Sequence, residues 1–191
     1  VEYLEALETD GITNMTWSAA YWSPQRRELV AYLPENGEEE LLRTIRHEAF
    51  HQYLSYASAM IATSPWFNEG YAQYFEDDAS ADWDEGFDVT DENIDRMAAA
   101  IPGVLTMDYE QFYGGSDFER RFKYRLAWSI VRFIEKGADE VRLKPFEGLK
   151  KRYMESLVET RDMRKATSAA FRDAELLKKF IAEWKKYWKR N

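Results

Sequence analysis

The residues His47-Glu48-Ala49-Phe50-His51 contain the only two histidines of the chain, in the pattern H-E-x-x-H. On an α-helix, side chains four residues apart stand one above the other on one face, so both imidazoles can turn to a common point and offer a nitrogen each to one metal ion. A divalent zinc ion is the natural occupant. Glu48 is rotated by about 100° from His47, which lets it miss the ion yet reach a water bound to it, the place of a general base. Two imidazoles do not complete such a site, since catalytic zinc normally takes three protein ligands and keeps a fourth position for water. The chain has no third histidine and no cysteine. A carboxylate must therefore close the site, and the best candidate is Glu69 in Trp66-Phe67-Asn68-Glu69-Gly70, which opens a helix after Ser64-Pro65. Gln73 and Glu76 share its face. Glu76 is the competing ligand, but by helical rise it lies about 10 Å farther along the axis, better placed to accept a hydrogen bond from a ligand imidazole.

A bare H-E-x-x-H arises by chance in roughly one chain in a hundred of this size, and its histidines are then ordinary core residues. Here the motif uses every histidine and is followed at workable distance by a helix-opening N-E-G. The strings HEAFH and WFNEGYAQYFE resemble the gluzincin metallopeptidases, the group that includes thermolysin and the aminopeptidase-N-like enzymes. The resemblance implies His47, His51 and Glu69 as zinc ligands and Glu48 as base, in a thermolysin-like catalytic domain. Seventeen residues separate His51 from Glu69, slightly fewer than in aminopeptidase N, so the connection is expected to be trimmed. The G-x-M-E-N type segment of true aminopeptidases is missing, and that activity is not carried over. The segment KYRLAWSIVRFIEKG resembles the gluzincin helix whose tyrosine hydroxyl supports the oxyanion, which implies Tyr124 in that role. The alternatives are a tyrosine half buried for packing, or transfer of the role to Tyr109 or Tyr113.

With 191 residues, 45% of them hydrophobic, the chain is long enough for one domain, residues 1–191, with a real core. It reads as mainly helical α+β: a sheet or hairpin over 1–35, the zinc-binding helices over 36–80, and a helical part over 81–191. Strands are expected at Thr13–Trp22 and Glu28–Leu33 around a turn at Ser23–Arg27. In the gluzincin family the strand beside the cleft pairs with an extended peptide, and Ala19–Trp22 or Leu29–Leu33 is the candidate, against the plainer alternative of a hairpin that only closes a small sheet. Asn36 with Glu39 reads as a capping box starting the motif helix, which is expected to run to Ile61 with Leu41, Leu42, Ile45, Ala49, Tyr53, Leu54, Ala57, Met60 and Ile61 on its packing face. Ser64 is expected to cap the next helix, with Pro65 at its first position and Gly70 where two helices approach closely.

Farther on, a helix from Asp91 is expected to end at Pro102-Gly103. Ser116 and Glu119 form a capping box for a helix over Asp117–Lys136, with Phe118, Phe122, Leu126, Ile130 and Phe133 as its buried stripe. Helices from Pro145, Asp162 and Ala174 close the domain, and Trp184, Tyr187 and Trp188 read as the docked face of the last one rather than a nucleic-acid or membrane surface. Residues 76–95 carry ten acidic side chains and no basic one. They lack EF-hand spacing, so they read as a solvated loop bordering the cleft, one that disfavours acidic substrates. The net charge of −9 argues against a nucleic-acid partner, and no apolar run spans a membrane. Because Val1 is not an initiator methionine, the chain is expected to be a segment of a longer precursor. The combined expectation is a zinc peptidase acting on peptides or proteins. The alternative is a catalytically silent zinc-binding module that binds a protein partner.

Overall fold

The computed structural model describes residues 2–11, 19–33, 35, 37–76, 90–138 and 146–190. Within them the order is α1 (Glu2–Thr9), β1 (Ala20–Ser23), β2 (Glu28–Ala31), α2 (Glu38–Ala57), α3 (Pro65–Glu76), α4 (Asp91–Thr106), α5 (Tyr109–Tyr113), α6 (Asp117–Arg132), α7 (Leu149–Thr160), α8 (Met163–Phe171) and α9 (Ala174–Trp188). A π-helical turn, Phe133–Gly137, continues α6. The architecture is mainly helical α+β, with one two-stranded antiparallel sheet among the described residues. No described helix is long and apolar enough to cross a membrane.

The hairpin pairs Ala20 with Ala31 and Ser23 with Glu28, and Arg27 closes the turn by donating its N–H to the Ser23 carbonyl. Both strands are shorter than expected. The first begins at Ala20, residues 12–18 lying outside the described ones, and the second stops at Ala31 because Leu33 has nothing to pack on and is 62% exposed. Helix α1 covers the hairpin through Tyr3, Leu7 and Tyr21, and Arg26 ties the Tyr21 hydroxyl to the Asp10 carboxylate. With β2 on one side, β1 turns its other edge toward α2.

Helix α2 starts after Gly37, at φ 98°, with no side-chain cap. Asn36 lies outside the described residues; what favours this start is the run Glu38, Glu39 and Glu40 in the first turn, where negative charge meets the helix dipole. The helix ends at Ala57, one turn before Ile61, because Ala59 and Met60 take left-handed φ values of 53° and 62° and turn the chain toward α3. Its packing face is narrower than the apolar pattern. Phe50 and Leu54 are buried, whereas Leu42 and Tyr53, and Met60 beyond the helix end, are exposed; among the described residues α2 packs chiefly on β1, β2 and α3.

Helix α3 is the innermost element, with Trp66, Phe67, Gly70, Tyr71 and Ala72 all buried. It lies between α2 and α6, and a Cβ on Gly70 would stand 2.7 Å from the Ala127 carbonyl oxygen, so only glycine permits this approach. Ser64 starts the helix with its carbonyl, which accepts from the N–H groups of Phe67 and Asn68. Its hydroxyl does not cap as expected. It donates to the Met163 carbonyl and meets Thr167, while Tyr153 accepts from the Ser64 N–H at 2.6 Å and donates to Ser64 Oγ at 3.0 Å. The Tyr153 ring stacks on Phe67 at 4.1 Å and Trp66 Nε1 donates to Thr167. The C-terminal helices thus hold the first turn of α3, three residues before Asn68.

Pro102 does not end α4. It sits inside a helix that continues to Thr106, because Ile101, Val104 and Leu105 are buried in the core and that burial outweighs the hydrogen bond proline removes. Ser116 and Glu119 form the expected capping box on α6. Of its expected stripe, Leu126, Ile130 and Phe133 are buried, but Phe118 in the first turn is half exposed under Arg96. Helix α7 begins at Leu149 after a left-handed Gly148, whereas Pro145 lies outside the described residues. On α9, Trp184, Tyr187 and Trp188 are buried against the core, Trp184 Nε1 donating to the Ser129 carbonyl.

Candidate metal centre

Four residues per near-turn bring His47 and His51 onto one face of α2, their ring centres 4.7 Å apart. Each ring is oriented through Nδ1. His47 Nδ1 lies 2.9 Å from Glu76 Oε2, and His51 Nδ1 lies 2.9 Å from Asn68 Oδ1. A carboxylate and an amide oxygen can only accept, so both Nδ1 atoms carry a proton and each ring turns Nε2 toward Glu69. These two Nε2 atoms converge on one oxygen, Glu69 Oε2, at 3.6 Å from His47 and 3.8 Å from His51.

Those separations bear directly on metal binding. Ligands about 2.0–2.1 Å from a tetrahedral zinc ion are about 3.3 Å from one another, so the 3.6 and 3.8 Å from the two histidine nitrogens to Glu69 Oε2 each lie within about 0.5 Å of what a shared ion would set. Two imidazole nitrogens and one carboxylate oxygen are also the donor types zinc takes in catalytic sites. The competing ligand Glu76 is excluded from the triangle, since it is engaged on the far nitrogen of His47 and with Arg43 at 3.6 Å. Instead it has the outer-partner position, the hydrogen bond to a ligand imidazole.

Glu48 is buried, and its Oε2 accepts from the backbone N–H of Trp22 at 2.8 Å. The bond comes from the edge of β1 that β2 leaves open. Trp22 also donates its indole N–H to Ser55 Oγ, which fixes the strand on α2. Ligand-type atoms of His47, Glu48 and His51 all lie within 4.8 Å of one another, so Glu48 reaches the same small volume from the strand side.

The charges of the site are strongly coupled. Burial by itself would raise the Glu69 carboxyl, but the His51 and His47 imidazoles beside it and the Tyr113 hydroxyl outweigh burial and hold it down to about 2. Burial likewise would lower His47, yet hydrogen bonds to Glu69 and Glu76 and the charge of Glu48 push it up to about 10. Glu48 is raised by burial, which His51, His47 and the Trp22 amide offset only in part. Carboxylates that favour a proton on His47 favour any cation at the same nitrogen. A base needs the kind of upward shift that Glu48 has.

Three tyrosines border Glu69. Tyr113, on α5, donates to Glu69 Oε1 at 2.5 Å, leaving Oε2 to face the histidines. Tyr124, on α6, also has its hydroxyl toward Glu69 and Tyr113, and burial pushes it well up. Tyr109 accepts from Asn68 Nδ2 at 3.1 Å and so fixes the amide that orients His51. Tyr124 therefore points into the site rather than into the helical core, but Tyr113 makes the closer contact with the ligand carboxylate. The roles of Asn68, Tyr113 and Trp22 were not legible in the sequence. Asn68 alone left a signal, standing next to Glu69 in the helix-opening N-E-G.

The site opens into a cleft of about 1560 Å³ bounded by β1, α2, the 58–63 connection, α5 and α6. β1, not β2, is the strand that borders it. Of the acidic run, residues 77–89 lie outside the described ones; Glu76 lines the cleft, whereas Asp91 and Asp95 pair with Lys185 and Lys189 of α9. Compared with protein families, with curated proteins and with solved structures, the chain has no match.

Proposed function

We propose that the chain is a zinc-dependent peptidase of gluzincin type, with a thermolysin-like arrangement of hairpin, motif helix and ligand helix. The observation that carries this reading is that His47 Nε2 and His51 Nε2 both face Glu69 Oε2, at 3.6 and 3.8 Å, with Glu48 fixed beside them. A purely structural pair of histidines has no need for both Nε2 atoms to face one carboxylate oxygen while both Nδ1 atoms are engaged behind. His47, His51 and Glu69 would hold the ion. When bound, zinc supplies Lewis acidity, bringing the pKa of water toward neutrality and polarising a carbonyl.

The rest of the chemistry belongs to the chain. Glu48, raised by burial, takes the proton of the attacking water and passes it to the leaving amine. Its second task is geometric: the Trp22 N–H holds one oxygen, so the carboxylate cannot swing away. Tyr124 donates from its neutral hydroxyl to the developing oxyanion, and its raised pKa keeps that proton in place. A cleft of about 1560 Å³ exceeds the about 300–1,000 Å³ typical of small-molecule sites and suits a peptide. The test is hydrolysis of a mixed peptide library by the purified protein with and without a chelator. Cleavage that stops with chelator and returns with zinc is expected; no cleavage by zinc-loaded protein would favour a silent binding module.

A further inference from the structure

We propose that the buried Lys123 is a positioning residue of the metal centre: by tying the end of α5 to α6 it holds Tyr113 on Glu69 and Tyr109 on Asn68, and thereby raises the affinity for zinc without touching a ligand. This rests on the zinc reading above. Lys123 lies on α6, one residue before Tyr124, and is 8% exposed. Its Nζ donates to the Gln111 carbonyl at 2.7 Å and to the Gly114 carbonyl at 2.6 Å, oxygens that flank Tyr113 along the chain.

Helix α5 has five residues, Tyr109–Tyr113, too few to stay helical by themselves. Its start is fixed by the Asp108–Gln111 capping box, and its one buried side chain, Phe112, anchors it to the core. The last carbonyls of a helix have no partner within it and carry the negative end of its dipole. Gln111 belongs to α5 and Gly114 follows it directly, so the Lys123 ammonium brings to this end, from a neighbouring helix, both the donors and the positive charge that it favours. A buried ammonium is costly unless its protons are bonded, and packing alone would be met by an apolar side chain.

What the clamp holds is the outer layer of the site. Tyr109 and Tyr113, four residues apart, share one face of α5 with their ring centres 5.6 Å apart. Tyr113 donates to Glu69 Oε1 at 2.5 Å, and Tyr109 accepts from Asn68 Nδ2, whose Oδ1 faces His51 Nδ1. One short helix thus stands behind two of the three proposed ligands, and its seat on α6 decides both contacts. Outer partners of metal ligands are worth about 10- to 100-fold in affinity.

The experiment measures the zinc dissociation constant by chelator competition for wild type and Lys123→Met, and again for both in a Tyr109→Phe, Tyr113→Phe background, with urea unfolding to show that each is folded. Lys123→Met keeps the stem and removes the ammonium, and should weaken zinc by about tenfold, the low end for an outer partner. In the background without the two hydroxyls the same substitution should add no more than about twofold, because the contacts it acts through are already gone. A merely structural lysine would lower stability and leave the zinc affinity of the folded molecules where it was. Wild-type affinity in Lys123→Met therefore overturns this proposal alone, and so does an equal loss in both backgrounds. If Lys123→Met does not fold, Gly114→Ala replaces it: a Cβ there would stand 2.7 Å from the Glu110 carbonyl oxygen and displace the end of α5. Zinc should weaken in that variant too, and unchanged affinity overturns the proposal. A wild type that takes up no zinc overturns it together with the zinc reading.

Discussion

The backbone N–H of Trp22 donates to Glu48 Oε2 at 2.8 Å, joining the hairpin edge to the motif helix across 26 positions of sequence. A strand that would otherwise only close a small sheet thereby orients the proposed base. It also explains why Glu48→Gln is an informative substitution. The amide oxygen of glutamine can still accept from Trp22, so fold and zinc content should persist while turnover falls by at least about 10², as expected for loss of a general base. Parallel metal analysis and peptide assay check this; unchanged turnover would remove Glu48 from the mechanism.

Zinc should bind at one ion per chain. His47→Ala or His51→Ala should abolish binding, while Glu76→Ala, which strips His47 of its outer partner, should weaken it by about 10- to 100-fold. Titration with a competing chelator distinguishes the two classes. If zinc binds only the folded chain, as proposed, the wild-type melting temperature should rise with added zinc and fall with chelator.

The two tyrosines on Glu69 should separate kinetically. If Tyr124 donates to the oxyanion, Tyr124→Phe should lower kcat by about 10² to 10³ with KM and zinc content nearly unchanged. Tyr113 grips Glu69 Oε1, so Tyr113→Phe should chiefly weaken zinc. Reversed results would exchange the roles.

Gly70→Ala should destabilise the protein by about 1–3 kcal/mol, the range for overpacking, because its Cβ would press on the Ala127 backbone and Val131 side chain. Urea unfolding measures this. A neutral result would mean that α3 and α6 separate freely.

Tyr153→Phe removes the hydroxyl that accepts from the buried Ser64 N–H and should cost about 1–3 kcal/mol. Since that bond holds the first turn of α3, zinc affinity should fall as well. A stability loss with unchanged zinc affinity would show that the ligand turn is held by stacking of Phe67 and Tyr153 alone.

Much of the candidate site is local information. The i, i+4 histidines, the glutamate between them, and a helix that opens with Pro65 and carries Glu69 and Glu76 are all set by helical geometry acting on nearby residues, and so is the Ser116–Glu119 capping box. What the sequence could not determine are the contacts made between distant segments. Trp22 on Glu48, Tyr113 on Glu69 and Tyr153 on Ser64 join residues 26, 44 and 89 positions apart, and no periodic pattern encodes which partner a side chain meets. The misjudged boundaries have the same cause. Pro102 remained helical because Val104 and Leu105 found a core, and the apolar stripe of α2 lies partly in solvent because only the tertiary arrangement decides how many neighbours a helix has.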